Sequence, residues 1–325
     1  MKFILHLLII MMILGCSNKN ENIEENIIES VNLLTITNSS SVSNTPFSKP
    51  AEAIIYEDNL YSISDLNTYK YNFESNIWET INTNNLNVAN TKDSNVSFIK
   101  DSKWYIINRK GLWTFDFSAN KWEILKEFTD NLLLASSGVY HNDSLYIFSN
   151  IYDNVYKYNF ENNSLILHST FTQKPVYGIL TKTILKIKGS YYYLRLTNGG
   201  KMAIYKWIDD FTNFELLNEF KYEDWLTGGS AFVFNDNIVF GLGGDIVTGV
   251  HGGIASFSLN DKFYYYDIIN NESKKIENSF YTGTFNALPI EYNNKFYLLG
   301  GTTILNREII YRNTLDQIEF KFIEY

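Results

Sequence analysis

The hexapeptide Tyr69-Lys70-Tyr71-Asn72-Phe73-Glu74, followed by Asn76, Ile77 and Trp78, returns letter for letter as Tyr156-Lys157-Tyr158-Asn159-Phe160-Glu161, followed by Asn163, Ser164 and Leu165. Such an identity marks an internal repeat, and a repeat fixes the architecture before any other feature is read. Looser copies fill the rest of the chain. Thr114-Phe115-Asp116-Phe117 leads through Asn120 to Trp122, and Tyr205-Lys206-Trp207 leads through Asn213 to Phe214. A fifth copy runs from Tyr264 through Tyr266 and Asp267 to Ile276, with Ser273 in the tryptophan position, and a sixth from Tyr311 through Leu315 to Phe320 and Ile323. Taking Trp78, Trp122, Leu165, Phe214, Ser273 and Phe320 as markers, successive spacings are 44, 43, 49, 59 and 47 residues. That is one period carrying one insertion.

Upstream of each copy stands an apolar alternation, a short polar turn and a second alternation rich in aromatics. The turns fall at 57–59, 101–103, 142–144, 188–190, 235–237 and 293–295, each reading as a tight hairpin. One copy is therefore four strands. In the fifth and sixth copies the second strand ends in glycine pairs, Gly243-Gly244 and Gly300-Gly301, while Gly199-Gly200 sits in a longer connection. This pattern resembles the kelch repeat: a diglycine after the second strand, an aromatic third strand ending in a Tyr-Asp-like pair, and a Trp a few residues beyond. The resemblance spans roughly 270 residues and implies an all-β fold, a six-bladed kelch-like β-propeller of four-stranded antiparallel blades. A seven-bladed ring is the architectural alternative. Residues 31–37 (VNLLTIT) alternate as a strand and are expected to close the ring against the sixth blade.

The chain has 325 residues, 45% hydrophobic and 16% aromatic, with a net charge of −9. That composition fills a large core and excludes wholesale disorder. The negative charge is the wrong sign for neutralising phosphates, so nucleic acid is not an expected partner. Lys2 precedes an apolar run from Phe3 to Leu14 that is too short to span a bilayer and reads as an export signal. At its end Ile13-Leu14-Gly15-Cys16 resembles the lipobox of bacterial lipoproteins. The resemblance implies cleavage before Cys16, diacylation of that cysteine and a mature chain held at the bacterial cell envelope by lipid, the means by which it partners a membrane. Residues 1–15 are then the signal peptide, 16–30 a polar acidic tether, and 31–325 the propeller. Cys16 is the sole cysteine, which leaves none for disulfides or metal thiolates.

Chemical motifs are sparse. No Gly-x-Ser-x-Gly elbow and no phosphate-binding loop occurs, and the histidines beyond the signal, His141, His168 and His251, fall in different copies. No metal site, cofactor or catalytic residue is assigned. In an antiparallel blade the second-to-third connections and the blade-to-blade links share one face. Here these are long: 81–95, 128–137, 170–179, 221–229, 241–261 and 300–308. Variable loops on a rigid scaffold are where binding concentrates. Arg109, Arg195 and Arg307 are expected to converge on that face for carboxylate recognition, with Asp245 and His251 in the largest insertion and Trp225, Tyr281 and Phe285 as stacking aromatics. The reading is a monomeric binding module for a glycan, peptide or protein. The alternative rests on exported six-bladed kelch proteins that include sialic acid mutarotases: Arg195 or Arg307 would clamp a carboxylate, and Asp245 or His251 would move a proton.

Overall fold

In a computed structural model of the chain, the described residues are 32–64, 67–81, 96–108, 110–128, 136–149, 154–170, 183–197, 201–208, 210–221, 228–248, 254–276, 281, 283–305 and 308–324. Leu34–Lys321 forms one compact unit, and Met1–Leu33 with Phe322–Tyr325 is grouped as a second. The expected signal, Cys16 and the tether lie outside the described residues.

Every regular element among the described residues is a strand. After β1 (Asn32–Asn44), the first blade is β2 (Pro50–Tyr56), β3 (Asn59–Ser64), β4 (Asn67–Asn72) and β5 (Ile77–Ile81). The second is β6 (Val96–Lys100), β7 (Lys103–Asn108), β8 (Gly111–Asp116) and β9 (Lys121–Glu127). The third is β10 (Ser136–His141), β11 (Ser144–Ser149), β12 (Asn154–Asn159) and β13 (Ser164–Thr170). The fourth is β14 (Ile184–Ile187), β15 (Ser190–Thr197), β16 (Lys201–Ile208) and β17 (Asn213–Lys221). The fifth begins with β18 (Ser230–Phe234) and β19 (Asn237–Gly241), is interrupted by β20 (Gly244–Thr248) and β21 (Ile254–Leu259), and ends with β22 (Phe263–Asp267) and β23 (Glu272–Ile276). The last comprises β24 (Leu288–Tyr292), β25 (Lys295–Leu299), the pair β26 (Thr302–Leu305) and β27 (Glu308–Tyr311), and β28 (Thr314–Glu324).

Five sheets keep chain order, and the sixth runs β24-β25-β28-β1. The leading strands are neighbours in sequence, β2 to β6, β10, β14, β18 and β24, and β24 returns to β2. The result is a closed six-bladed β-propeller. Blade six differs from the sequence reading. Tyr311 lies in the added strand β27, and Phe320 lies on the third strand β28 rather than a fourth. The outer place of this sheet is taken by β1. Thr45 N–H bonds Asn313 C=O at 2.8 Å, and the Thr37 hydroxyl reaches Glu319 C=O at 3.4 Å. β1 therefore runs antiparallel to β28.

The repeated letters have local causes. Asn72, Asp116, Asn159 and Asp267 each accept backbone N–H groups of the turn that follows, at 2.8–3.3 Å, which fixes the chain reversal. The tyrosine of the third strand then bonds the turn's last asparagine: Tyr71 to Asn76 at 2.8 Å, Tyr158 to Asn163 at 2.9 Å and Tyr266 to Asn271 at 2.6 Å. Each of those asparagines has φ between 52° and 57°, a conformation Asn tolerates better than most side chains. The first-to-second turns are two-residue reversals with both φ values positive in all six blades, the primed geometry that matches strand twist.

Each apolar cluster joins two blades. Tyr61, Ile63 and Ile81 of blade one pack with Trp104, Trp113, Phe115 and Trp122 of blade two. Similar clusters join blades two and three, three and four, four and five, and six and one. At the fifth seam Phe232 lies 5.0 Å from Phe296 and 5.3 Å from Phe320. Burying one such side chain contributes ~1.5–3 kcal/mol, so a single blade, exposed on both faces, is unstable without its neighbours.

Candidate functional site

Two blades depart from the repeat in the same way. Blades one and two join their second and third strands through two residues, 65–66 and 109–110, whereas blades five and six insert the hairpins β20–β21 and β26–β27 there. Both insertions leave the blade through the same turn. Leu242 and Gly243 have φ of 61° and 86°, and Gly300 and Gly301 have 66° and 98°. The first N–H of each turn reaches the start of the third strand, Leu242 to Lys262 C=O and Gly300 to Thr314 C=O, both at 2.9 Å. The residue closing each hairpin bonds back to the second residue of that turn, Asn260 N–H to Gly243 C=O at 2.9 Å and Arg312 N–H to Gly301 C=O at 2.8 Å. Gly301 has to be glycine on two counts: its φ is left-handed, and a Cβ there would lie 2.5 Å from Thr284 Cγ2.

The link between blades five and six passes between the insertions and is bonded to both. Thr284 C=O accepts Gly243 N–H at 2.8 Å, and Phe285 exchanges two backbone bonds with Thr302, at 2.8 and 2.7 Å. The Thr303 hydroxyl donates to Gly283 C=O at 3.2 Å. A Cβ on Gly283 would stand 2.8 Å from Leu259 Cβ, so the link lies directly against β21.

Under β26–β27 sits a buried polar group. Arg312 directs Nη2 to Asp316 Oδ2 at 2.6 Å and Nη1 to Thr284 Oγ1 at 3.1 Å. Tyr281 donates its hydroxyl to the same Asp316 oxygen at 3.0 Å, and the guanidinium lies 4.9 Å from its ring centre. Asp316 and Thr284 are fully buried. Burial drives the Tyr281 hydroxyl well above the ordinary tyrosine range, and the Asp316 charge pushes the same way, with Arg312 opposing. At neutral pH it is a hydrogen-bond donor and not a proton shuttle. A carboxylate buried with a guanidinium and a hydroxyl is satisfied in place, and it locks the base of the hairpin to the link.

Of the expected site residues, Arg109, Trp225, His251 and Arg307 lie outside the described residues, as does the side chain of Asp245, whose backbone is in β20. Arg195 is buried on β15, paired with Ala203, on the strand face shared by Tyr191 and Tyr193. Alternation along β15 turns that face toward blade three. Tyr281 is buried beneath a guanidinium, which corrects its expected role as an open stacking surface. Phe285 is half-buried and acts through its backbone. The segment 241–261, read as an irregular loop, contains the hairpin β20–β21, and 300–308, read likewise, holds β26 and the start of β27. Arg312, Asp316 and Thr284 were not anticipated. No local signal marks them: reading Tyr311 as the start of the third strand places both within that strand, and their partners Thr284 and Tyr281 are distant in the chain. Among the described residues no group of three or more metal-ligating side chains comes together.

No family model matches the sequence, and no curated protein matches it. Among solved structures, one described as "Structure of YjhT" is similar, with a TM-score of 0.62 and 13% identity over 84% of this chain and 100% of that one. At that identity the likeness carries the propeller fold and nothing finer.

Proposed function

We propose that this chain is an exported, lipid-anchored lipoprotein of the bacterial envelope whose propeller binds a peptide, protein or glycan through the crest formed by β20–β21, β26–β27 and the link between them. One observation carries the reading: two adjacent blades, and no other pair among the described residues, extend hairpins from equivalent positions and brace them through a shared segment. A ring needs no such additions for closure, and ordered projections held on a rigid scaffold are the usual form of a binding surface.

Two measurements test this. Membrane fractionation of wild type and Cys16→Ser in high salt tests the anchor, with loss of the membrane fraction expected for the variant. Cys16→Ser chain on glycan arrays and against a random peptide library, with and without residues 302–311 replaced by a two-residue link, tests the crest. Ligand binding abolished by the replacement is expected, and binding indifferent to it would move the site elsewhere.

A further inference from the structure

We infer that β27 is an acceptor edge for an extended peptide segment of a partner protein, which adds to the β26–β27 sheet by backbone pairing. This rests on the crest being the binding surface and narrows its ligand to a polypeptide. Register decides which groups are available. The hairpin pairs Thr302 with Tyr311, Thr303 with Ile310, Ile304 with Ile309 and Leu305 with Glu308. Thr302 spends both its N–H and its C=O on Phe285, so its pairing with Tyr311 is of the non-hydrogen-bonded kind. Alternation makes the Ile304–Ile309 pair the same. The N–H and C=O groups of Ile309 and Tyr311 accordingly point away from β26, along an edge with which no strand of the described residues pairs.

Natural edges are blunted by lysine, proline or a bulge. β27 is short and opens with the charge of Glu308, but it has no lysine, proline or bulge, and Glu308, Ile309, Ile310 and Tyr311 are all exposed. The side chains select the partner class. Ile309 and Tyr311 share one face of the hairpin and Leu305 and Ile310 the other, with Leu305 59% exposed. Aliphatic groups on both faces suit a peptide's alternating side chains. Sugar recognition wants an open aromatic face, whereas the Tyr311 ring is covered by Lys49 Nζ at 3.8 Å and Arg312 is bonded to Asp316. A second copy is a poor occupant. A four-residue strand is only ~13 Å long, too short an edge on its own to bury the ~800 Å² per partner of a stable interface, and two chains of net charge −9 repel. The same charge favours a segment flanked by Lys or Arg.

The test uses Cys16→Ser chain and a random dodecapeptide display library, with the most enriched sequence resynthesised in plain form and with alternate backbone amides N-methylated. Micromolar binding is expected, lost by ~10-fold or more on N-methylation. Ile309→Pro removes an outward N–H without touching the hairpin's own bonds and should weaken binding equally, while Ile309→Thr keeps it within ~3-fold. Circular dichroism and thermal unfolding of Ile309→Pro check that the ring is intact. If that variant is unfolded, the N-methylated peptide alone decides. Binding indifferent to N-methylation, or no enriched peptide, overturns the proposal. A glycan bound through residues 302–311 overturns it while leaving the crest as the binding surface, whereas a peptide bound elsewhere overturns both. Self-association abolished by Ile309→Pro makes a second copy the occupant and overturns it too.

Discussion

Tyr281 and Asp316 meet across a blade seam: the hydroxyl from the link after blade five donates at 3.0 Å to a carboxylate on the third strand of blade six, both buried. Tyr281→Phe is expected to cost ~1–3 kcal/mol. Asp316→Ala strands the guanidinium in a largely enclosed site and is expected to cost ~3–5 kcal/mol. Urea unfolding of the two variants beside wild type checks the ordering.

The same tyrosine sets an alkaline limit. Its folded-state pKa is raised by burial and by Asp316, so its contribution to stability is complete below the ordinary tyrosine value of ~10 and falls as pH rises beyond that. Tyr266 is likewise raised by burial, to about 12. Stability measured across this range should decline less steeply in Tyr281→Phe than in wild type. An unchanged slope would place the alkaline sensitivity elsewhere.

Asp116 governs the acid side of one turn. Hydrogen bonds from the Ser118 hydroxyl and from the backbone of Ala119 and Ser118 hold its carboxyl at about 2, with Lys103 adding to them. Its stabilisation is present above the unfolded value near ~3.9 and disappears as pH falls through the folded one. Asp116→Ala should be less stable than wild type at neutral pH, with the difference closing in strong acid.

Primed turns offer a gain. Glu57, Ser102 and Lys188 occupy them with φ of 44°, 54° and 47°, conformations Asn and Gly adopt with less strain. Glu57→Asn with Ser102→Gly is expected to raise stability by ~0.5–1 kcal/mol in total, read as a shift in melting temperature.

Gly301→Ala tests the crest scaffold. The added methyl needs space now held by Thr284 and imposes a disfavoured φ. Amide exchange at Thr284, Phe285 and Thr302 should speed up while protection of β2–β13 is unchanged. Uniform loss of protection would mean that the turn supports the whole ring.

The repeat was legible because its letters perform local tasks that any blade requires: an asparagine or aspartate to hold a turn, a tyrosine hydroxyl to reach the next asparagine, aromatics to face a neighbour. Blade count and turn positions followed from that. The crest was not legible to the same degree. β26 and β27 are four residues each, and an apolar run such as Glu308–Tyr311 has the same pattern whether it is exposed or is the expected third strand. Arg312 and Asp316 gain their meaning only from Thr284 and Tyr281, some thirty residues earlier, and no local spacing encodes a meeting of that kind. The arginines sought for the long-loop face, by contrast, included Arg195, which strand alternation turns into a seam.

The antiparallel seating of β1 on β28 has a mechanical consequence. A tug entering at Leu34 and resisted at the opposite face of the ring would travel lengthwise along β1. It would strain the rungs between the two strands together, in shear, instead of peeling them one after another. A ring closed this way holds under load where one closed by a zipper-like flap would open.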